Sequence, residues 1–109
     1  MRNDLAELEF SPEEMRAMGR AVLDRVVEHI ATLGAQPAGG RLDDAHAVAQ
    51  ALREPPPEHG TPLEPLLDAY FAEWLPRSFN SAGPGYLAFI PGGGLFPAAL
   101  ADLLSDSTN

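Results

Sequence analysis

Ser11-Pro12-Glu13-Glu14 opens the longest periodic stretch of the chain. The Ser11 hydroxyl can accept from the Glu14 backbone N–H, the Glu14 carboxylate can reach back, and Pro12 suits the first helical position. From there Met15, Met18, Val22, Val26, Ile30 and Leu33 follow three-and-four spacing, and Leu23 and Val27 widen the stripe to about half the circumference. Arg16, Arg20, Asp24 and Glu28 take the other side. With Gly34 as the expected stop, this helix runs about 22 residues and about 33 Å. That is longer than a compact core of a 109-residue chain requires. Part of its apolar face is expected to meet another polypeptide or another domain.

The remaining helices are cut short by proline and glycine. After a connector over 35–42, Asp43 or Asp44 is placed to cap a helix with the face Ala45, Val48, Ala49 and Leu52. Pro55-Pro56-Pro57 ends it, because proline lacks a donor and biases its predecessor towards extended backbone. Thr61-Pro62-Leu63-Glu64 repeats the capping signature. Leu63, Leu66, Leu67, Tyr70, Phe71, Trp74 and Leu75 then form the best helical pattern in the chain. Pro65 allows the regular helix to begin there instead, and Pro76 is expected to end it. Residues 77–85 read as loop, Tyr86 to Ile90 as a short extended segment, and Pro97 as the opening of a last helix through Ala98, Leu100, Leu103 and Leu104. The expected fold is mainly α, with three to four helices and one short extended segment near 86–90.

Composition excludes several functions. A chain of this length buries roughly 60 to 65% of its unfolded surface, enough for a small core. Seven arginines and no lysine, against sixteen acidic residues, give a formal charge of −9. Such a field repels phosphate polyanions and anionic membrane surfaces, so neither nucleic acid nor a membrane is an expected partner. Absence of cysteine removes disulfides and thiolate metal sites. No apolar run reaches the ~18 residues needed to span a bilayer, and the first ten residues lack a signal-peptide core. A cytoplasmic, soluble protein is expected.

His29, His46 and His59 lie on three segments, none at helical spacing with a second ligand, so no metal site is nominated. His29, at the edge of the first stripe, reads as a partly buried packing residue; His46 and His59 read as solvated. No serine has the strained Gly-x-Ser-x-Gly setting of a nucleophile, and no catalytic residue is assigned. Paired acids such as Glu13-Glu14 suit helix N-termini. The run Phe89-Ile90-Pro91-Gly92-Gly93-Gly94 lacks the Gly-Lys-Ser/Thr ending of a phosphate loop. It reads equally as a turn that redirects the chain, or as a backbone-rich surface on which a flat ligand packs.

The order of elements, with Asn80-Ser81 and the run Pro84-Gly85-Tyr86-Leu87-Ala88-Phe89-Ile90-Pro91-Gly92-Gly93-Gly94-Leu95-Phe96-Pro97, resembles the N-terminal region of the pyridoxal-phosphate-dependent group II decarboxylases. The resemblance is loose over the first sixty residues and tight from about Asn80. It implies an N-terminal arm over 1–10, a helical dimer-clasping region over 11–76, and a pocket-lining loop with the start of a large domain over 77–109. It further implies a homodimer held through Met15, Met18, Val22, Val26, Ile30 and Leu33. Phe89, Ile90, Pro91 and Gly92 would line the pocket for the side chain of an amino-acid substrate. The lysine that holds pyridoxal phosphate, and the phosphate-binding groups, belong to the large domain of that family. The cofactor is therefore expected in the parent enzyme and not on this chain alone. Animal aromatic decarboxylases carry Trp-His-Ser-Pro where this chain has Ser81-Ala82-Gly83-Pro84, and a Thr-bearing turn where it has Gly92-Gly93-Gly94, so the aromatic specificity does not transfer. A rival reading is a free-standing helical module that recruits another protein; a small-molecule sensor with a pocket behind Phe89 to Phe96 is a further one.

Overall fold

The computed structural model describes residues 9–89 and 94–108. The fold is mainly α: α1 (Pro12–Ala31), α2 (Ala45–Ala51), α3 (Leu63–Ala69) and α4 (Phe96–Thr108), with no strand among the described residues. The segment expected to be extended near 86–90 is not extended over 86–89, and Ile90 lies outside the described residues: Tyr86 and Leu87 have no regular structure, Ala88 and Phe89 bend, and Phe89 has φ 58°. Positive φ at a bulky residue is incompatible with a pleated ladder.

The start of α1 follows the expected chemistry. Glu14 N–H donates to Ser11 Oγ at 3.2 Å, and Ser11 N–H donates to Glu14 Oε2 at 2.7 Å. The bond from the Ser11 backbone, with that of its hydroxyl, holds the Glu14 carboxyl below its usual range. The C-terminal end departs from expectation. The helix stops at Ala31, and Gly34 sits inside a following 3-10 turn (Leu33–Ala35). The last carbonyls are taken by backbone and side chains together: the Thr32 N–H and Oγ1 both donate to the Glu28 carbonyl, at 3.1 and 2.8 Å, and Gln36 Nε2 donates to the His29 carbonyl at 3.0 Å. The Gln36 bond gives a last-turn carbonyl a partner without a glycine cap.

Two other expected caps are absent. Asp44 stands at the N-cap of α2, but its side chain makes no capping bond. Its carboxylate goes to Arg77 instead. Pro62 occupies the N-cap of α3, so the Thr61 signature is not realised and the helix begins at Leu63 rather than at Pro62 or Pro65. Pro65 is tolerated there because a donor in the first turn has no intrahelical partner.

Beyond α3 the chain continues as a π turn (Tyr70–Trp74) and a 3-10 turn (Leu75–Arg77). Pro76 explains the change: it offers no N–H to the Ala72 carbonyl, and its ring crowds that carbonyl in an α-helix. Widening lets the Leu75 N–H reach the Tyr70 carbonyl, five residues back, and the Arg77 guanidinium donates to the Glu73 carbonyl. Proline thus widens the helix before ending it.

α3 and its continuation lie on one side of α1. Arg25 pairs with Asp68 and lies 3.8 Å from Glu64, and the His29 and Phe71 rings are 6.0 Å apart. A second contact joins distant segments: Arg41 N–H donates to the Pro76 carbonyl at 2.9 Å and Asn80 N–H to the Ala38 carbonyl at 3.1 Å. Between them, a Cβ on Gly40 would stand 2.6 Å from the Arg77 carbonyl oxygen, so only glycine admits this approach.

Despite these contacts, no hydrophobic side chain is buried among the described residues. The accessible surface is 9257 Å². A compact monomer of this mass exposes about 5,800 Å². The radius of gyration, 17.1 Å, likewise exceeds the ~13 Å of a compact domain of this length.

Ser11→Ala should lower stability by about 1 kcal/mol in denaturant titration. Because the folded state depresses the Glu14 pKa, the contribution of its carboxylate is complete above the ordinary value of about 4.3 and is lost as pH falls through the folded-state value. Carboxyl-carbon NMR titration should therefore give a depressed Glu14 midpoint that Ser11→Ala moves back up. Gly40→Ala should cost about 1–3 kcal/mol through overpacking. Gly39→Ala, where a Cβ meets nothing within 4 Å, should be neutral or slightly stabilising.

Candidate functional site

The meeting of α1 with the π turn and the 78–82 loop leaves an open groove of about 740 Å³. His29, Phe71 and Phe79 supply aromatic walls, while Gln36, Arg41 and Ser81 supply polar ones. Three of these are delivered by local devices already described: His29 by the last turn of α1, Gln36 by its bond to the end of that helix, and Phe71 by the π turn. His29 is half-buried; its Nδ1 lies 3.4 Å from Gln36 Nε2, and its ring tilts 57° to that of Phe71. This is the packing role expected of it, and His46 and His59 are exposed as expected. Among the described residues no group of three His, Asp or Glu side chains could hold a metal ion.

Arg77 forms the strongest polar node. Its Nε donates to Asp44 Oδ1 at 2.9 Å, its Nη2 to Asp44 Oδ2 at 2.5 Å, and its Nη1 to the Glu73 carbonyl. The hydrogen bonds from Arg77, reinforced by its charge, hold the Asp44 carboxyl below the usual carboxylate range. The same partner raises the pKa of Arg77, so the guanidinium stays charged. Forked, charge-assisted geometry of this kind fixes direction as well as distance.

Of the pocket residues expected from sequence, Phe89 is 93% exposed and takes no part in the groove. Ile90, Pro91 and Gly92 lie outside the described residues. The residues assigned to a dimer contact separate into two sets. Met18, Val26 and Leu33 are half-buried within their own chain, whereas Met15, Val22 and Ile30 are exposed. Leu23 and Val27 join the exposed set, which runs along α1 on the arc that α3 leaves open. Every residue of α4 is exposed as well, including Phe96, Leu100, Leu103 and Leu104.

Sequence reasoning missed the Asp44–Arg77 and Arg25–Asp68 pairs, because charges 33 and 43 residues apart leave no local periodicity. It also missed the π turn. A signal for that was present in Pro76 following an unbroken helical pattern at Phe71, Trp74 and Leu75. No helix among the described residues is long and apolar enough to cross a membrane.

No protein-family model matches the chain, and no solved structure matches it. Among curated proteins it is similar to an aromatic-L-amino-acid decarboxylase of Bacillus atrophaeus, with 28% identity over 102 residues. The match covers 94% of this chain and 21% of that decarboxylase. The chain thus spans about a fifth of its relative's length and fits, at most, a fragment of a decarboxylase-like protein.

Proposed function

We propose that this chain is the N-terminal dimerisation and substrate-pocket segment of a pyridoxal-phosphate-dependent amino-acid decarboxylase. The observation that carries the reading is the similarity to a decarboxylase along 94% of the chain. The lack of a buried hydrophobic side chain among the described residues supports the dimerisation role. The excess over a compact monomer is about 3,400 Å², and a standard interface takes only about 800 Å² from each partner. A second copy on the exposed arc of α1, with adjoining polypeptide on α4, takes up part of that surplus. Met15, Val22 and Ile30 are the residues of α1 best placed to meet that copy.

Pyridoxal phosphate supplies the electron sink for loss of carbon dioxide in such enzymes. The donor set here does not fit it, since the 109 residues include no lysine to hold it covalently. What this segment contributes is shape: an apolar wall around Phe89 for the substrate side chain, and helices that bring two protomers together.

In sedimentation equilibrium, Val22→Glu combined with Ile30→Glu should convert a dimer into a monomer, while Arg53→Glu, at an exposed position just past α2, leaves the dimer intact. A wild-type chain that stays monomeric and fully folded across concentrations removes the clasp. The full-length protein should release carbon dioxide from an amino acid in the presence of pyridoxal phosphate, and this segment alone should not. Absence of release across the common amino acids would overturn the decarboxylase assignment.

A further inference from the structure

The connector between α1 and α2, bland in sequence, touches residues 76–85 at four successive points. Arg41 N–H holds the Pro76 carbonyl, and Gly40 admits the Arg77 carbonyl. The Ala38 carbonyl receives the Asn80 N–H, and Ala38 Cβ lies 3.1 Å from where a Cβ on Gly85 would stand. Asp44 then fastens the assembly through both oxygens to Arg77. Residues 78–89 contain no helix or strand of their own. From Asn80 their course is a succession of turns, Gly83 N–H to the Asn80 carbonyl at 3.0 Å and Tyr86 N–H to the Gly83 carbonyl at 3.2 Å. Besides these turn bonds and the pairing of the Phe79 and Tyr86 rings at 6.2 Å, the series is held where Ala38 meets it, at the Asn80 N–H and beside Gly85.

We propose that Asp44 and Gly40 are positioning residues: the 38–44 connector is the template that sets the path of residues 76–86, and through them the place of the Phe89 wall in the substrate pocket. The pocket role of that wall is the function proposed above, on which this inference rests. Arg77 transmits the constraint because all three of its guanidinium nitrogens are engaged, two on Asp44 and one on the Glu73 carbonyl. The Arg77 side chain is 13% exposed and that of Asp44 45%. The node is therefore shielded on the arginine side and open to water on the other. Loss of the carboxylate releases the turn series without emptying a core, since none exists there.

Two measurements on the full-length protein test this. Hydrogen exchange by mass spectrometry should show that Asp44→Asn lowers protection of the Asn80, Gly83 and Tyr86 amides by about tenfold, with α1 amides unchanged. Arg77→Lys, which keeps the charge but loses the fork, should act in the same direction and serves where Asp44→Asn does not fold. In the decarboxylation assay Asp44→Asn should raise KM several-fold with a smaller change in kcat, and Asp44→Glu should recover most of the loss. Unchanged protection at Asn80 in both variants overturns the template, as does an unchanged KM in an enzyme that turns over. A wild-type protein without decarboxylase activity sinks the function proposed above instead, and the exchange measurement alone then decides whether the connector is a template.

Discussion

An apolar arc covering about half the circumference of a 20-residue helix is the constraint from which the rest of this structure follows. Among the described residues the chain sets against it α3, seven residues long, with the π turn that continues it, and the 3-10 turn over Leu33–Ala35. These cover one side of the arc, through Arg25 with Asp68 and His29 with Phe71. The other side, Met15, Val22, Leu23, Val27 and Ile30, faces solvent. Hydrophobic burial scales with area removed from water. A chain that removes so little gains correspondingly little from burial within itself.

That shortage explains why polar devices are so prominent. The capping box at Ser11, the Thr32 and Gln36 bonds at the end of α1, and the Arg77 fork on Asp44 each fix one geometry at a place where packing does not. Exposed ion pairs contribute little to stability as a rule. Their value here is directional: Arg25 sets where α3 crosses α1, and Arg77 sets how the chain leaves the π turn. The groove between them is a consequence of those two angles.

The function proposed for the segment depends on the same shortage. A fold that covered the apolar face of α1 itself would leave less of that face for a second protomer. Here both α1 and α4 present apolar side chains to solvent. The 21% share of the decarboxylase relative that the chain covers is consistent with a segment made to be completed by its surroundings.

Sequence by itself determined the helices: the Ser11 box, the three-and-four spacing of α1 and α3, and the proline positions all act within one or two turns, where local rules decide. It also determined that α1 carries more apolar surface than a small domain hides. Tertiary structure alone decided what the charged and small residues do. Asp44 abandons its helix for Arg77, Gly40 yields to a carbonyl from a segment 37 residues on, and Phe89 turns to positive φ instead of extending. None of these leaves a periodic trace, and for Asp44 and Gly40 the outcome depends on a segment more than thirty residues away arriving beside them. The physical reason is range. A cap is satisfied by its own neighbours, whereas an ion pair or a close approach is satisfied only once the chain has folded back on itself.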